Sequence, residues 1–181
     1  MEIATDTIQI RPFQLTDFAM VFSYMGDEET THFLPSGKMS EDQVRTFIDN
    51  NTKAFAVLLR KSGTLIGHID FFACFGDHTY EIGWAFNKAY QRKGYAYQAA
   101  SMVIGYGFEQ LGVHRIIATC QPENPPSYKL MERLGMRKEA FFRQCIPKGQ
   151  GVWWDEYLYA LLASEYETVT HTDVNMSSKG G

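Results

Sequence analysis

The chain has 181 residues, 45% of them apolar and 21% charged, with a formal net charge of −4. That length supports one substantial core. The acidic balance disfavours a nucleic-acid partner gripped through phosphates, and no apolar run is long enough for a membrane span or a leader. The cysteines, Cys74, Cys120 and Cys145, are widely spaced and odd in number, and the five histidines form no HxxxH or HExxH pattern. They predict buried free thiols, a reducing cytoplasmic setting and no metal site.

Residues 7–12 alternate as a strand that Pro12 closes. A helix follows from Thr16-Asp17, with Phe18, Val21, Phe22 and Met25 on one face, and residues 26–29 interrupt it. Ser40 stands three residues before Gln43, the spacing of a capping box, and opens a second helix through Val44, Phe47 and Ile48. Residues 54–60 and 64–75 read as a hairpin around Lys61-Ser62-Gly63. From Tyr80 to Phe86 the period is again two: Tyr80, Ile82, Trp84 and Phe86 alternate with Glu81, Gly83 and Ala85.

Then comes Gln91-Arg92-Lys93-Gly94-Tyr95-Ala96, where the period changes. Ala96, Ala99, Ala100, Val103, Gly107, Phe108 and Leu111 fall on one helix face, and Gly112 is placed to end the helix in a left-handed conformation. A strand-to-helix turn leaves the first helical amides without internal partners, at the positive end of the peptide dipoles. Gly94 offers close backbone approach, and Arg92 and Lys93 add charge. The turn reads as an anion site suited to a diphosphate, and a solvated loop is the alternative. It is neither a Walker loop nor a three-glycine dinucleotide fingerprint.

Residues 115–120 form the next strand, reached by a helical crossover and therefore parallel to the one before. Asn124 is placed as an N-cap, with Pro125 at the first helical position, Leu130, Met131 and Leu134 as the core face, and Gly135 as the stop. Two more strands, 136–146 and 152–162, flank a Pro- and Gly-bearing turn. The chain reads as one domain, residues 1–166, and a polar, pattern-poor tail, 167–181, expected to be disordered.

This order and these motifs resemble the GNAT superfamily of acetyl-CoA-dependent N-acetyltransferases. Gln91-Arg92-Lys93-Gly94-Tyr95-Ala96 matches its pyrophosphate loop, [Gln/Arg]-x-x-Gly-x-[Gly/Ala]. Asn124-Pro125-Pro126-Ser127 with Glu132-Arg133-Leu134-Gly135-Met136 is similar to its Asn-x-x-Ser…Glu-x-x-Gly-Phe block, with Met136 in place of the usual aromatic. Three further pieces resemble the branch that acetylates N-terminal alanine or serine of ribosomal proteins: Ile10-Arg11-Pro12, residues 111–116, and Asp155 with Tyr159 through Leu162. The resemblance covers residues 7–162. It implies a mixed α/β (α+β) fold with about seven strands, mostly antiparallel, about four flanking helices, and a splay between the fourth and fifth strands.

It also implies acetyl-CoA as co-substrate. The pantetheine arm would pair with backbone at Trp84, Ala85 and Phe86, the diphosphate would lie on the segment Gln91, Arg92, Lys93, Gly94, Tyr95, Ala96, and Asn124 would contact the arm. Glu81 is the candidate general base, direct or through water, with a solvated strand carboxylate as its alternative. A backbone N–H near Trp84 or Ala85 would steady the oxyanion. Ser127 would face the thioester sulfur, with local backbone capping as its alternative. The position seven after Asn124, often a tyrosine acid in the family, is Met131, which donates no proton. Trp153 and Trp154 line an acceptor mouth or cover a sheet edge.

The acceptor expected is a primary amine, foremost a protein N-terminal α-amine. It titrates near 8, against about 10.4 for lysine, and so loses its proton more readily. A small amine such as a polyamine or aminoglycoside is the alternative, as is a non-catalytic CoA-binding domain. The acceptor pocket would draw on the first two helices and the final hairpin, in a monomer or homodimer.

Overall fold

The computed structural model describes residues 1–149 and 151–166. The tail, 167–181, lies outside the described residues. Among the described residues there are eight strands: β1 (Ile3–Ala4), β2 (Ile8–Pro12), β3 (Ala54–Leu59), β4 (Leu65–Cys74), β5 (Thr79–Phe86), β6 (Arg115–Cys120), β7 (Arg137–Gly149) and β8 (Val152–Leu162). They form one mixed sheet in the order β1-β2-β3-β4-β5-β6-β8-β7. Among the described residues the α-helices are α1 (Phe18–Met25), α2 (Glu28–Thr31), α3 (Glu41–Asn50), α4 (Tyr95–Gly105) and α5 (Pro125–Arg133), with a further helical turn over residues 163–166. The class is the mixed α/β expected. The extra strand, β1, has two residues and so shows no alternation to read. Of the two extra helical segments, α2 is a single turn held by the Asp27 carboxylate, which accepts from Thr30 N–H at 2.9 Å, and residues 163–166 are another.

The chain divides into two compact units, Met1–Phe72 with Ile82–Val103, and Ala73–Glu81 with the chain from Ile104 onward. In the first unit, β2, β3 and β4 pair antiparallel. Val21, Tyr24 and Met25 of α1 and Val44 and Ile48 of α3 pack with Ala56, Leu58, Leu65 and Ala85. Each large apolar side chain so buried contributes roughly 1.5–3 kcal/mol. The capping box at α3 forms as its spacing predicts: Gln43 N–H donates to Ser40 Oγ at 3.3 Å, and Ser40 N–H to Gln43 Oε1 at 2.8 Å. Arg11 on β2 makes a bidentate pair with Asp17, 2.8 Å at both oxygens, which ties the turn before α1 to the sheet.

In the second unit, Thr79–Glu81 of β5 runs parallel to Arg115–Ile117, and β8 pairs antiparallel with both β6 and β7. Ile116, Ile117, Met131, Met136 and Tyr159 are buried there. The helix expected to run regularly to Leu111 instead widens after Gly105 into a π turn, Tyr106–Gln110. Leu111 N–H reaches Tyr106 O at 3.2 Å, and Gly112 (φ +64°) ends the turn. Of the cysteines, all free, Cys120 is buried as expected, Cys74 is half-buried and Cys145 is exposed. Cys145 departs from the expectation because β7 is the outermost strand beside β8 and is exposed over most of its length.

Candidate active site

In the first unit the end of β5, the polar loop and the start of α4 come together as expected. Asn87 organises the loop entrance: its Oδ1 accepts from Ala89 N–H at 3.0 Å and its Nδ2 donates to Ser23 Oγ of α1 at 3.1 Å. Lys88 reaches Asp27 (3.3 Å) and Glu29 (3.2 Å), pinning the short 3-10 turn Lys88–Tyr90 against α2. Gln91 turns its side chain inward, donating from Nε2 to Phe86 O at 2.9 Å. Of the backbone at Trp84, Ala85 and Phe86, the Phe86 carbonyl thus already serves as the seat of the loop.

Beyond Gln91 the backbone takes two left-handed steps, Arg92 at φ +59° and Gly94 at φ +84°. The first is an uncommon conformation for a side-chain-bearing residue. Its result is that α4 begins abruptly, with Gln98 N–H to Gly94 O (3.0 Å) as the first backbone bond. Among the described residues, the N–H groups of Arg92, Lys93, Gly94, Tyr95 and Ala96 have no protein acceptor. A Cβ built on Gly94 would meet nothing within 4 Å. The loop therefore offers open, unpaired donors at a helix N-terminus, with exposed Arg92 and Lys93 beside them. The Lys93 ammonium rests on Ala89 O at 2.8 Å.

The first unit also holds an open groove of about 680 Å³ along α3, lined by Met39, Asp42, Thr46, Phe47, Asn50 and Lys53. It coincides with the second of the helices expected to wall an acceptor pocket. In the final hairpin, Trp153 is half-exposed and Lys148 Nζ caps the Trp154 ring at 3.8 Å.

In the second unit, Glu81 lies opposite Ile117 of β6. Ser127 sits in the first turn of α5, its N–H donating to Asn124 O at 3.1 Å. Burial pushes the Cys120 thiol, at the end of β6, up to about 11, and the nearby Ser127 hydroxyl draws it partly back.

Asn124 stands at the N-cap position, but its side chain makes no capping bond; the cap is closed by its backbone carbonyl, which accepts from Ser127 and Tyr128. The carboxamide is left over, half-buried. Met131 is 1% exposed, a core residue. Tyr159 donates to Glu132 Oε1 at 3.0 Å, and burial together with that bond raises its phenol well above the ordinary range. The raised thiol of Cys120 was not visible in the sequence: Cys120 closes an apolar strand, and nothing in that pattern distinguishes it from core.

A strand-to-helix loop that presents bare amides at a helix N-terminus is an arrangement suited to an anion. Residues 7–137 match the family model described as acetyltransferase (GNAT) domain. The chain is 48% identical over 170 residues to an uncharacterised N-acetyltransferase of Bacillus subtilis, YnaD, covering 92% of this chain and 99% of that protein. It is similar to the crystal structure of a GNAT-family acetyltransferase from Bacillus anthracis, with a TM-score of 0.88, 47% identity, and 91% and 99% of the two chains covered. A more distant match is the ribosomal protein uS5 alanine N-acetyltransferase of Escherichia coli, 30% identical over 89 residues, 49% of this chain and 45% of that protein. The chain belongs to the GNAT family and is an N-acetyltransferase.

Proposed function

We propose that the protein transfers an acetyl group from acetyl-CoA to a primary amine, foremost the α-amine of a protein N-terminus, in the cytoplasm. The observation that carries this reading is the row of unpartnered amides from Arg92 to Ala96 at the start of α4. These donors, with the charge of Arg92 and Lys93, suit the diphosphate of coenzyme A, and Gly94 keeps its approach clear. Backbone at Trp84, Ala85 and Phe86, and the free carboxamide of Asn124, are assigned to the pantetheine arm. The co-substrate supplies an acetyl group activated as a thioester.

The protein's own contribution is alignment and proton handling. Ser127, in the first turn of α5, is assigned to the departing sulfur. Glu81 is assigned as the acceptor of the amine proton, direct or through water. With Met131 in the core, no tyrosine acid arises from that position, and holding both substrates together supplies much of the acceleration. An α-amine suits such a site because a useful fraction is neutral at pH 7 without a strong base.

The test is coenzyme A thiol release with Ala- and Ser-initiated peptides, their N-blocked forms, spermidine and an aminoglycoside, with products located by mass spectrometry. Acetylation of the free peptide N-termini is expected. Turnover confined to the small amines would replace the acceptor assignment, and acetyl-CoA binding with no turnover on any amine would make the protein a non-catalytic binder.

A further inference from the structure

Three polar side chains cross the core of the first unit without a part in the chemistry above. Tyr24 of α1 is 1% exposed and His68 of β4 is 3% exposed. The Tyr24 hydroxyl is 2.8 Å from His68 Nδ1, and His68 Nε2 is 3.7 Å from Asp70 Oδ2. Phe13 and Phe47 pack on the imidazole, with centroids at 6.0 and 5.4 Å, and Phe47 also lines the groove along α3.

The row has a direction. Burial lowers the His68 pKa, which leaves the ring neutral, and burial raises that of Tyr24, which keeps its proton. Of the two neutral tautomers, one has Tyr24 O–H donating to Nδ1 and turns Nε2–H toward the carboxylate. The other aims a lone pair at a negative oxygen. Electrostatics select the first. Asp17, the other carboxylate whose charge reaches Tyr24, is neutralised by Arg11. Asp70 is not: among the described residues no Lys or Arg pairs with it, and its side chain is 35% exposed. On the neighbouring strand it meets Gly83, where an added Cβ would stand 3.3 Å from Oδ2 and cover the carboxylate.

A half-exposed carboxylate, oriented from behind by a buried neutral dipole and left without a protein cation, is built to receive one from outside. We infer that Asp70 binds the ammonium form of the acceptor amine, with His68 and Tyr24 as positioning residues that aim its carboxylate. The identity of the ligand as an acetyl acceptor rests on the function proposed above; the cation site itself does not.

The experiment is calorimetric titration of the full chain with alaninamide, a cation, and propionamide, its uncharged counterpart. Wild type is expected to prefer the cation by about tenfold or more, and Asp70→Asn to lose that preference. Gly83→Ala, which covers the carboxylate without changing charge, is expected to weaken alaninamide in the same direction and guards against a misfolded Asp70 variant. Asp70→Glu should retain part of the preference. Tyr24→Phe should reduce it in the wild-type background and add nothing to Asp70→Asn, whereas a merely structural tyrosine would add its loss in both. Equal alaninamide affinity in wild type and Asp70→Asn, or no preference for the cation in wild type, overturns the inference. Acetyl-CoA titrated in parallel separates the two readings: its failure to bind wild type would defeat the proposed function, while the amine titrations still decide Asp70.

Discussion

Gly67 is the position at which a single methyl group should couple stability to the loop. A Cβ placed there stands 2.5 Å from Ala85 O and 2.7 and 2.8 Å from two ring carbons of Phe86. The first obstacle is backbone and cannot rotate away. Restoring an ordinary contact of about 3.5 Å requires β4 and β5 to part by about 1 Å at this point. The neighbouring bond, Asn87 N–H to Ile66 O at 3.0 Å, then opens to a length at which it no longer holds. Overpacking of about 1–3 kcal/mol plus about 1 kcal/mol for the lost hydrogen bond sums to about 2–4 kcal/mol.

For a chain of this size that lowers the melting temperature by about 4–16 °C. Because Phe86 O seats Gln91, the loop should move with the strand, and the KM for acetyl-CoA should rise about tenfold, the effect of about 1.4 kcal/mol. The assay is thermal unfolding by circular dichroism alongside initial rates for Gly67→Ala. Gly94→Ala is the comparison: it meets nothing within 4 Å, and at φ +84° it costs only backbone strain of about 1 kcal/mol. A Gly67→Ala protein that melts within a degree or two of wild type would refute the reasoning.

Arg92→Gly removes a charge beside the bare amides while relaxing a left-handed residue, so the melting temperature should hold or rise as the KM for acetyl-CoA increases about tenfold. A parallel drop in stability would show that the conformation is not strained. Asn124→Ala should change the urea midpoint by less than about 0.5 kcal/mol-equivalent, since its side chain caps nothing, yet weaken acetyl-CoA in direct titration. Loss of stability without loss of affinity would return Asn124 to a structural role. Cys120, raised by burial from its ordinary 9.0 to about 11, favours the folded state fully below pH 9. Above that the unfolded thiol has lost its proton while the folded one keeps it, so this contribution, up to about 3 kcal/mol, disappears between pH 9 and 11. Urea unfolding across that range should show a flatter decline in Cys120→Ala than in wild type, and equal slopes would count against the buried thiol.

How much was legible beforehand differs by kind of residue. The strand-to-helix turn was readable because a change of period from two to three-and-four is local, and the Ser40–Gln43 box because capping depends on three residues of separation. Asn124 shows the limit of such reasoning: residue type and position fit an N-cap, but the carbonyl and not the carboxamide closes the turn. The π turn after Gly105 and the left-handed Arg92 carried no pattern in the sequence.

From the sequence alone came what neighbours along the chain decide: element types and their order, the glycine-bearing turn with its basic residues, and through those motifs the family. Only the tertiary structure decided which groups that turn leaves unpaired, that Gln91 faces inward to Phe86, and that Tyr24, His68 and Asp70 form one row. The physical reason is distance along the chain. Tyr24 and His68 are 44 residues apart. A hydrogen bond across that separation exists only after helix and sheet have packed, and nothing in either residue's own surroundings announces it.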